Sequence, residues 1–444
     1  GRCIYMLFSE TRWIRSNIKK LDIPLRKELL NIYKHRKHSI CFLNNLINKI
    51  RYNLRKFNVI IRFDNDSSPE SLVRNKDTRN IKIKKSSVFK SMNLYGARLT
   101  PKKINALLEA DSVSNIYLDR KYKALMDIAS PSLKASFAWN MGLSGKGITT
   151  AVVDTGIYPH EDLIKPINRI LAFKDFVGRK SKPYDDNGHG THVAGDIAAN
   201  GHSSQGKYKA PAYESNLVGV KVLNKYGSGN LSTIISGIEW CIENKDTYGI
   251  RIICLSLGAE AQSSYKDDIL CEAVEKAWKS GIVVCAAAGN DGPALSTIDS
   301  PGIDPLIITV GAAGDENTPD RSNDIIAPFS SRGPTKVDNL PKPDVICPGV
   351  NIISLRSPGS YSDKTSKSSR VDNYYTNMSG TSMATPLCCS CIALLLQKNP
   401  SLTPDQVKEI ITGSAEDIGY DRNAQGYGYI DIEGIFHFTT LSKN

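Results

Sequence analysis

Three short segments contain side chains that together could carry out nucleophilic catalysis. Ser382 follows a Gly-Thr pair and precedes the apolar run from Met383 to Leu396, which predicts a serine at the start of a long helix. Asp154 ends an apolar run that is typical of a buried strand, and His189 stands in the segment His-Gly-Thr-His-Val-Ala-Gly. A serine hydroxyl is a weak nucleophile at neutral pH and needs a base to remove its proton. The three segments therefore predict a group of Asp, His and Ser that acts together.

The roles of the three residues follow from their chemistry. Histidine can take the proton of the serine and return it to the leaving group, and a carboxylate fixes the histidine tautomer and stabilises the imidazolium. A helix start presents N–H groups to a developing oxyanion. The order Asp154, His189, Ser382 is one of the orders in which unrelated folds present this triad. Each residue alone could be a strand end, a packed histidine or a helix start, but the combination favours catalysis.

With these flanking residues the chain resembles the subtilisin-like serine proteases, the subtilases, and is closest in character to their bacterial cytoplasmic group with an N-terminal prosegment. The resemblance extends from about residue 145 to residue 431. It implies a serine endopeptidase with Ser382 as nucleophile, His189 as general base and Asp154 as orienting acid. The matching segments are Asp-Thr-Gly at 154, His-Gly-Thr-His-Val-Ala-Gly at 189, Ser-Leu-Gly at 256, Ala-Ala-Ala-Gly-Asn at 286, Phe-Ser-Ser-Arg-Gly-Pro at 329 and Gly-Thr-Ser-Met-Ala at 380.

The resemblance also implies an oxyanion donor and a packing role for a second histidine. Asn290 follows an apolar run and a glycine, and its amide would act with the backbone N–H of Ser382 on the tetrahedral intermediate. A Gly-Asn turn without that role is the alternative interpretation of the same dipeptide. His192, three residues after His189, is expected to pack beneath the site.

Substrate binding is expected along two glycine-containing segments. One should be an exposed strand edge that pairs with an extended peptide, and the other its opposite rim, so that affinity comes mainly from backbone hydrogen bonds. Together they predict an open groove and polypeptide substrates. The residues are Ser256, Leu257 and Gly258 at the edge, Gly227, Ser228 and Gly229 at the rim, and Ala288 and Gly289 beside Asn290.

Asp299 could set the preference for one substrate side chain. Counting back from Pro301, it falls near the base of the primary pocket of subtilases, where a small residue is frequent. A carboxylate there would favour Lys or Arg in the substrate. The alternative is a one-residue difference in alignment that leaves Asp299 in solvent, with a broad apolar preference.

The elements that must position these residues are predicted by alternating patterns from about residue 145 onward. Apolar strands that alternate with helical stretches predict a parallel sheet covered by helices on both faces. We therefore expect an α/β fold with a mostly parallel, doubly wound sheet of the subtilisin-like form and a small α+β N-terminal prosegment domain. The predicted strands are Ile148–Val153, Leu217–Val222, Ile250–Leu255, Ile282–Ala287 and Ile307–Val310.

Charge divides the chain of 444 residues into two parts. Residues 1–125 carry 28 Lys and Arg against 10 Asp and Glu, a balance of +18, while residues 126–444 carry 29 against 35, a balance of −6. A basic part associates favourably with an acidic one. We predict a basic helical extension at 1–55 with short surface helices, a prosegment-like domain at 56–126 and the catalytic domain at 127–444.

The pattern of residues 56–126 is similar to that of subtilase prosegments, which fold against the catalytic domain and place their tail in its groove. Phe57–Phe63, residues 88–99 and Val113–Leu118 are predicted strands, and Thr100 caps a helix that begins at Pro101. The resemblance implies that the segment inhibits its own enzyme as a zymogen and is cleaved within residues 123–127. A permanent accessory domain is the alternative. Nucleic-acid binding is not favoured, because the basic residues lack an aromatic stacking pattern.

Cysteine usage favours a reducing compartment. Seven of the ten cysteines lie in apolar helix or strand patterns without metal-type spacing, as expected of small buried hydrophobic residues. No segment has the roughly 18 apolar residues of a membrane span, and the run from Cys3 to Phe8 is too short for a signal-peptide core. We expect a cytoplasmic protein without a membrane partner.

Catalysis by these groups requires no cofactor. Many subtilases hold Ca²⁺ with a carboxylate soon after the catalytic aspartate, and Asp162 matches that position. The loop of residues 199–212 contains no acid and two lysines, which are poor ligands for a hard cation. Calcium at Asp162 is therefore not favoured.

Two other functional classes are alternatives to a protease for a chain with these residues. A catalytically idle relative could bind peptides as a scaffold, but such a protein has no reason to keep Asp154, His189, Ser382 and Asn290 together. An esterase of the α/β-hydrolase type would have its nucleophile in Gly-x-Ser-x-Gly with Asp and His downstream. Here both partners lie upstream of Ser382.

Overall fold

The computed structural model describes residues 11–33, 41–64, 83–89, 92–119, 121–124, 132–314, 321 and 324–441. The chain divides into two units, residues 1–120 and 121–444. This boundary lies six residues before the one predicted at 126. The first unit also includes the segment 1–55, which the sequence had suggested as a separate extension.

The N-terminal unit is an antiparallel sheet with helices. The sheet has the order β2–β3–β1–β4. The strands are β1 Phe57–Phe63, β2 Ile83–Phe89, β3 Leu94–Leu99 and β4 Val113–Leu118, and the helices are α1 Arg12–Ser16, α2 Ile23–Asn31, α3 Cys41–Leu54 and α4 Pro101–Leu108.

Most of the predicted elements of this unit are confirmed. Strands β1 and β4 have the predicted bounds, and Thr100 Oγ1 accepts a hydrogen bond from the Lys103 N–H at the start of α4. The single strand predicted over residues 88–99 is wrong, because β2 and β3 form an antiparallel pair across this stretch. Asn93 lies between them at a φ of +52°, a left-handed conformation that asparagine tolerates in turns.

Helix α2 does not lie on the surface, as the sequence had suggested for the helices before residue 55, whereas Ile50 and Leu54 of α3 are exposed. Leu25 and Leu29 of α2 are fully buried in the same apolar core as Val59, Ile61 and Ile116 of the sheet. Residues four apart lie on one face of a helix, so that α2 turns a leucine stripe to the sheet. The hydrophobic core therefore joins the N-terminal helices and the sheet into one folding unit.

The second unit is built on a large, mostly parallel sheet. Eight of the described strands form it in the order β15–β14–β12–β10–β6–β8–β7, with β16 also paired to β14. Only the β14–β15 pair is antiparallel among them. The strands are β6 Thr149–Asp154, β7 Ile170–Asp175, β8 Asn216–Lys221, β10 Ile250–Leu255, β12 Val283–Ala287, β14 Ile308–Gly314, β15 Ile325–Ile326 and β16 Val345–Pro348.

Two smaller sheets complete the unit. The rim sheet has the order β13–β11–β5–β9 and is antiparallel, and β17 pairs with β18. These strands are short and connect to the ends of the large sheet. They are β5 Lys121–Ala124, β9 Ser228–Asn230, β11 Leu257–Glu260, β13 Asp299–Ser300, β17 Ile352–Leu355 and β18 Tyr375–Met378.

The helices of the second unit pack on the sheet in two groups. Helices α7 and α12 contact each other, and α12 packs across β10, β12, β14 and β16. Helices α8 and α10 form a second pair, in which α8 packs against β6 and α10 packs against β12. The helices are α5 Ala135–Asn140, α6 Glu161–Ile164, α7 His189–Ala198, α8 Leu231–Glu243, α9 Lys245–Tyr248, α10 Ile269–Lys279, α11 Tyr361–Thr365, α12 Thr381–Lys398, α13 Pro404–Gly413, α14 Arg422–Gln425 and α15 Ile432–Leu441.

The predicted α/β fold with a mostly parallel sheet is confirmed. All five predicted strands occur within two residues of their predicted starts, and they are continuously buried apart from single positions. Such strands can be apolar along their whole length because helices cover the sheet. None of the helices in the described ranges is both long and apolar enough to cross a lipid bilayer.

Candidate active site

The three predicted catalytic side chains lie where strands end and helices begin. Asp154 is the last residue of β6, His189 is the first residue of α7, and Ser382 is the second residue of α12. Asp154 and His189 are fully buried, as is Ser382. Polar groups at the carboxyl ends of parallel strands are typical of ligand sites in open α/β sheets.

The structure joins Asp154 and His189 directly. His189 Nδ1 lies 2.8 Å from Asp154 Oδ1, and the Thr155 N–H donates to the same oxygen at 2.6 Å. An Nδ1–H donated to a carboxylate places the basic lone pair on Nε2. This is the tautomer that a general base needs, and a buried carboxylate in this position can stabilise an imidazolium.

Helix α7 can approach β6 closely because residue 190 is glycine. A Cβ at Gly190 would lie 2.2 Å from the Gly156 carbonyl oxygen and 3.2 Å from the Asp154 Cβ. Any side chain at this position would push the helix away from the strand. The Gly that follows His189 therefore sets the distance between His189 and Asp154.

Asp185 holds the loop that carries His189, a role that sequence reasoning missed. Its Oδ1 accepts from Thr155 Oγ1 at 2.9 Å and from the Gly188 N–H at 2.9 Å, and its Oδ2 accepts from the Thr191 N–H and Oγ1 at 2.9 and 2.7 Å. One buried carboxylate thus ties the end of β6 to the first turn of α7. An acid four residues before His189 was the available signal in the sequence.

Ser382 contacts the strand edge that was predicted to bind substrate. Its Oγ donates to the Ser256 carbonyl oxygen at 3.2 Å, and Ser256 Oγ donates to the Ser382 carbonyl oxygen at 2.8 Å. Ser256 immediately precedes β11, so Ser382 lies beside the residue at which this edge begins. The hydroxyl must leave the Ser256 carbonyl before it can donate to a base.

Asn290 is oriented by Thr381, which sequence reasoning also missed. The Asn290 Oδ1 accepts from the Thr381 N–H at 3.0 Å and from Thr381 Oγ1 at 3.2 Å. The oxygen end of the amide is therefore engaged, and Nδ2 is the end that can donate to an oxyanion. Thr381 precedes Ser382, so the same turn positions both Ser382 and the Asn290 amide.

An extended segment occupies the groove between the two predicted rims. In the rim sheet, β5 pairs antiparallel with β11 through Ala124 with Leu257 and Lys123 with Gly258. On its other side β5 pairs with β9, with Lys123 opposite Ser228 and Tyr122 opposite Gly229. Six predicted substrate-binding residues therefore lie on the two edges that flank β5. They are Leu257 and Gly258 in β11 with Ser256 just before it, and Ser228 and Gly229 in β9 with Gly227 just before it.

The three remaining predicted residues, Ala288, Gly289 and Asp299, lie close to one another. Ala288 and Asp299 are connected by a hydrogen bond from the Asp299 N–H to the Ala288 carbonyl at 2.9 Å. A Cβ at Gly289 would lie 2.9 Å from Asp299 Oδ2. The alternative that placed Asp299 in solvent is wrong, since only 3% of its surface is exposed.

Comparison with known proteins agrees with this geometry. The model of the subtilase family (peptidase S8) matches residues 145–429. The chain belongs to the subtilase family. Serine protease AprX of Bacillus subtilis (strain 168) is 48% identical over 440 residues, which cover 96% of this chain and 98% of that protein.

Two other subtilases share a lower sequence identity with this chain. Subtilisin DY of Bacillus licheniformis is 37% identical over 306 residues, which cover 68% of this chain and 96% of that protein. Subtilisin E of Bacillus subtilis (strain 168) is 33% identical over 383 residues, which cover 84% and 89%. This chain is a subtilisin-like serine endopeptidase and therefore acts on polypeptides.

The second histidine of the subtilase motif has a structural environment of its own. His192 is fully buried, with Nδ1 2.9 Å from Asp196 Oδ2 and Nε2 3.1 Å from the Ile352 carbonyl oxygen. Both ring nitrogens are therefore engaged by Asp196 and Ile352. His192 is packed in the interior, and its place beneath the site stays a prediction.

The calcium position expected from the subtilase resemblance does not fit a cation in this chain. Asp162 is fully buried, and its two oxygens accept hydrogen bonds from the Ser203 N–H at 2.8 Å and the Tyr375 hydroxyl at 2.7 Å. A carboxylate whose lone pairs face protein donors is a poor ligand for Ca²⁺. We derive no step through a metal at this place.

Proposed function

We propose that this subtilase cleaves peptide bonds through a triad of Asp154, His189 and Ser382. The observation that carries the proposal is the 2.8 Å contact between His189 Nδ1 and Asp154 Oδ1. Ser382 lies in the first turn of α12. Ser382 Oγ attacks the carbonyl carbon while His189 Nε2 takes its proton. The C–N bond then breaks, His189 returns the proton to the leaving amine, and an acyl-enzyme remains that water hydrolyses in the same way.

The oxyanion of each tetrahedral intermediate is proposed to bind Asn290 Nδ2 and the Ser382 N–H. Donors fixed before the reaction stabilise developing charge without reorganisation. The hydrogen bonds from Thr381 to Asn290 supply that fixation. No cofactor is needed for these steps.

Replacing Asn290 by Ala is expected to lower kcat about 10²–10³-fold with little change in KM. In subtilisin, loss of one oxyanion donor has an effect of this size. Initial rates on a peptide p-nitroanilide over a range of concentrations measure both constants. A matched control is Asn244→Ala at the end of α8, where the asparagine Nδ2 donates to the Trp240 carbonyl; this variant should leave kcat within a few-fold. An unchanged kcat in the Asn290 variant would remove Asn290 from the mechanism.

The substrate is proposed to bind as an extended strand between β9 and β11. The pairing of β5 in this position demonstrates that a backbone can hydrogen-bond to both edges at once. Antiparallel addition to a sheet edge gives affinity with little demand on sequence. An endopeptidase that accepts many internal sequences is the expected outcome.

We further propose that the N-terminal unit is a prosegment that inhibits the enzyme until it is removed. The position of β5 in the groove supports this, because a segment joined to the N-terminal unit then excludes substrate. The charge balances of +18 for residues 1–125 and −6 for residues 126–444 favour association of the two parts.

The cut that frees the enzyme is proposed between Leu125 and Met126. Ala124 pairs with Leu257, and Ser256, the residue before Leu257, contacts Ser382. Leu125 follows β5 directly in the sequence, so a cut after Leu125 would separate β5 and everything before it from the catalytic domain.

Intact mass of freshly expressed wild type beside Ser382→Ala, followed by N-terminal sequencing, tests this processing. We expect wild type alone to convert to a fragment that starts at Met126. If both proteins stay full-length while wild type cleaves casein, self-removal is wrong and the basic unit is permanent. If neither is processed and neither cleaves any peptide, the chain is a peptide-binding scaffold.

A cytoplasmic location is proposed from the state of the cysteines. Eight cysteines in the described ranges are buried and form no disulfide bond, and six of them lie in α12, β10, β12 and β16. Structural disulfides are usual in oxidising compartments. Fractionation of the source cells with an antibody to the catalytic unit measures the location, and enzyme found solely outside the cells would contradict it.

A further inference from the structure

The connection between β17 and β18 is much longer than the turn of an ordinary hairpin. The two strands pair antiparallel, and residues 356–374 join them through the short helix α11. Hairpin loops usually have two to five residues, and long loops in compact domains are commonly functional. We call residues 356–374 the β17–β18 excursion.

The excursion binds the loop that leads into His189. Three successive backbone carbonyls of this loop accept hydrogen bonds from it. The pairs are the Ser357 hydroxyl with the Asp185 carbonyl at 2.7 Å, the Tyr361 N–H with the Asp186 carbonyl at 2.9 Å and the Ser362 N–H with the Asn187 carbonyl at 2.9 Å.

Gly188 completes this contact. A Cβ at Gly188 would lie 2.7 Å from Ser360 Oγ, and the residue has a φ of +104°, which favours glycine. The excursion therefore packs directly on the backbone of the residue before His189.

The side chains of the same loop bind the helix that carries the base. Asp185 joins Thr155 to Thr191 in the first turn of α7, and Asn187 Oδ1 accepts from the His189 N–H at 3.1 Å. The loop is thus held on two sides, through its carbonyls by the excursion and through its side chains by α7. A displacement of the excursion would be passed to His189 through this loop.

Asp363 holds the excursion together. Its side chain is almost fully buried and accepts from Arg356 Nε at 2.5 Å, from Arg370 Nε at 2.6 Å and from the Gly359 N–H at 2.8 Å. Although burial favours the neutral form, these donors hold the pKa of Asp363 well below its usual range. One ionised carboxylate therefore joins the beginning, the middle and the later part of the excursion.

We propose that Asp363 is a positioning residue for the base His189. It fixes the excursion against residues 185–188, and this loop sets how closely His189 approaches Asp154. The inference rests on the proposed triad mechanism, and it adds a residue that acts on the reaction only through His189. A misplacement of about 1 Å that originates far from the chemistry can cost about 10²-fold in rate.

The test is Asp363→Asn, which removes the charge and turns an amide NH₂ toward a guanidinium. We expect kcat on a peptide p-nitroanilide to fall about 10–100-fold, the range for such a misplacement, with KM changed less than about 3-fold because β9 and β11 keep their residues. Assays well below the unfolding midpoint of each variant keep the protein folded.

The pH dependence of kcat/KM separates positioning from stability. Its acid limb reports the base of the free enzyme. A looser contact with Asp154 stabilises the imidazolium of His189 less, so the acid limb of Asp363→Asn should move to lower pH. Asp196, the acid within α7, acts on His189 in both proteins.

Asp344→Asn is the matched control, because Asp344 is a second buried carboxylate between two cations. Its Oδ2 accepts from Lys342 Nζ at 2.6 Å, and its Oδ1 lies 3.1 Å from Lys408 Nζ. This variant should also lose stability, but its kcat should stay within a few-fold of wild type and its acid limb should not move.

Arg370→Gln provides a milder second variant, since Arg370 is partly exposed and is one of two cations on Asp363. It should lower kcat several-fold and move the acid limb in the same direction, and it carries the test if Asp363→Asn does not fold. Variants of the excursion that lose stability but keep the kcat and acid limb of wild type would overturn the inference, as would equal changes in Asp344→Asn. Cleavage by wild type would still uphold the proposed function, and its absence would overturn both.

Discussion

Ser382→Ala is expected to abolish peptide hydrolysis while the protein folds normally. The alanine lacks the oxygen that forms the acyl-enzyme, and His189 then has no hydroxyl to activate. In subtilisin, a member of the same family, removal of the nucleophile lowers kcat about 2 × 10⁶-fold. The remaining rate reflects only binding and the oxyanion donors. Hydrolysis of a peptide p-nitroanilide at saturating substrate measures the loss.

Ser390→Ala provides the matched control on the same helix. Ser390 Oγ accepts from the Ala212 N–H and donates to the Ile197 carbonyl, both at 2.8 Å, so its loss should cost about 1–3 kcal/mol of stability. Activity per titrated site should stay within a few-fold of wild type. If Ser382→Ala kept more than a thousandth of wild-type activity in a preparation free of other proteases, Ser382 would not be the nucleophile.

Asp154→Asn is expected to lower kcat about 10⁴-fold with a small change in KM, as loss of the orienting carboxylate does in serine proteases. The buried carboxylate accepts the His189 Nδ1–H and balances the imidazolium that forms during attack. A neutral amide of the same shape cannot balance that charge and can reverse the tautomer. Rates of acylation and of steady-state turnover on one ester and one amide substrate measure the effect.

Asp196→Asn is the control for that substitution, because α7 contains a second buried acid bonded to a histidine. His192 Nδ1 lies 2.9 Å from Asp196 Oδ2, and His192 Nε2 lies 3.1 Å from the Ile352 carbonyl oxygen. The same chemical change there should lower stability and leave the rate per titrated site within about 10-fold, since it removes no group from the reaction. Equal losses in the two variants would mean that Asp154 acts on folding and not on catalysis.

The places of Asp154, His189 and Ser382 at the ends of strands and the starts of helices, and the strands of the sheet, could be predicted because their patterns are local. Ser382, His189 and Asp154 each lie in short segments with distinctive neighbours, and strands buried on both sides are apolar along their length. The end of β6 and the starts of α7 and α12 could therefore be placed by pattern alone. The contacts between them follow from the topology of the sheet, in which neighbouring strands bring their carboxyl ends together.

What the sequence could not predict are contacts between residues far apart in the chain. Asp185 binds Thr155 thirty residues away, and Thr381 orients Asn290 across ninety-one residues. An acid in a turn and a threonine at a helix start have many ordinary uses, so neither pattern indicates a partner. The burial of Leu25 and Leu29 was missed for a similar reason, since a short amphipathic helix can face either solvent or a sheet.

Covalent labelling with phenylmethylsulfonyl fluoride, followed by peptide mapping, tests the central claim most directly. The reagent forms a stable sulfonyl ester with a serine that a neighbouring base activates. We predict one adduct per wild-type chain, on the peptide that contains Ser382, in step with loss of activity, and none on Ser382→Ala or on wild type unfolded in urea. An adduct on another residue that tracks inactivation, or an active wild type that stays unlabelled, would contradict the assignment of Ser382 as the nucleophile.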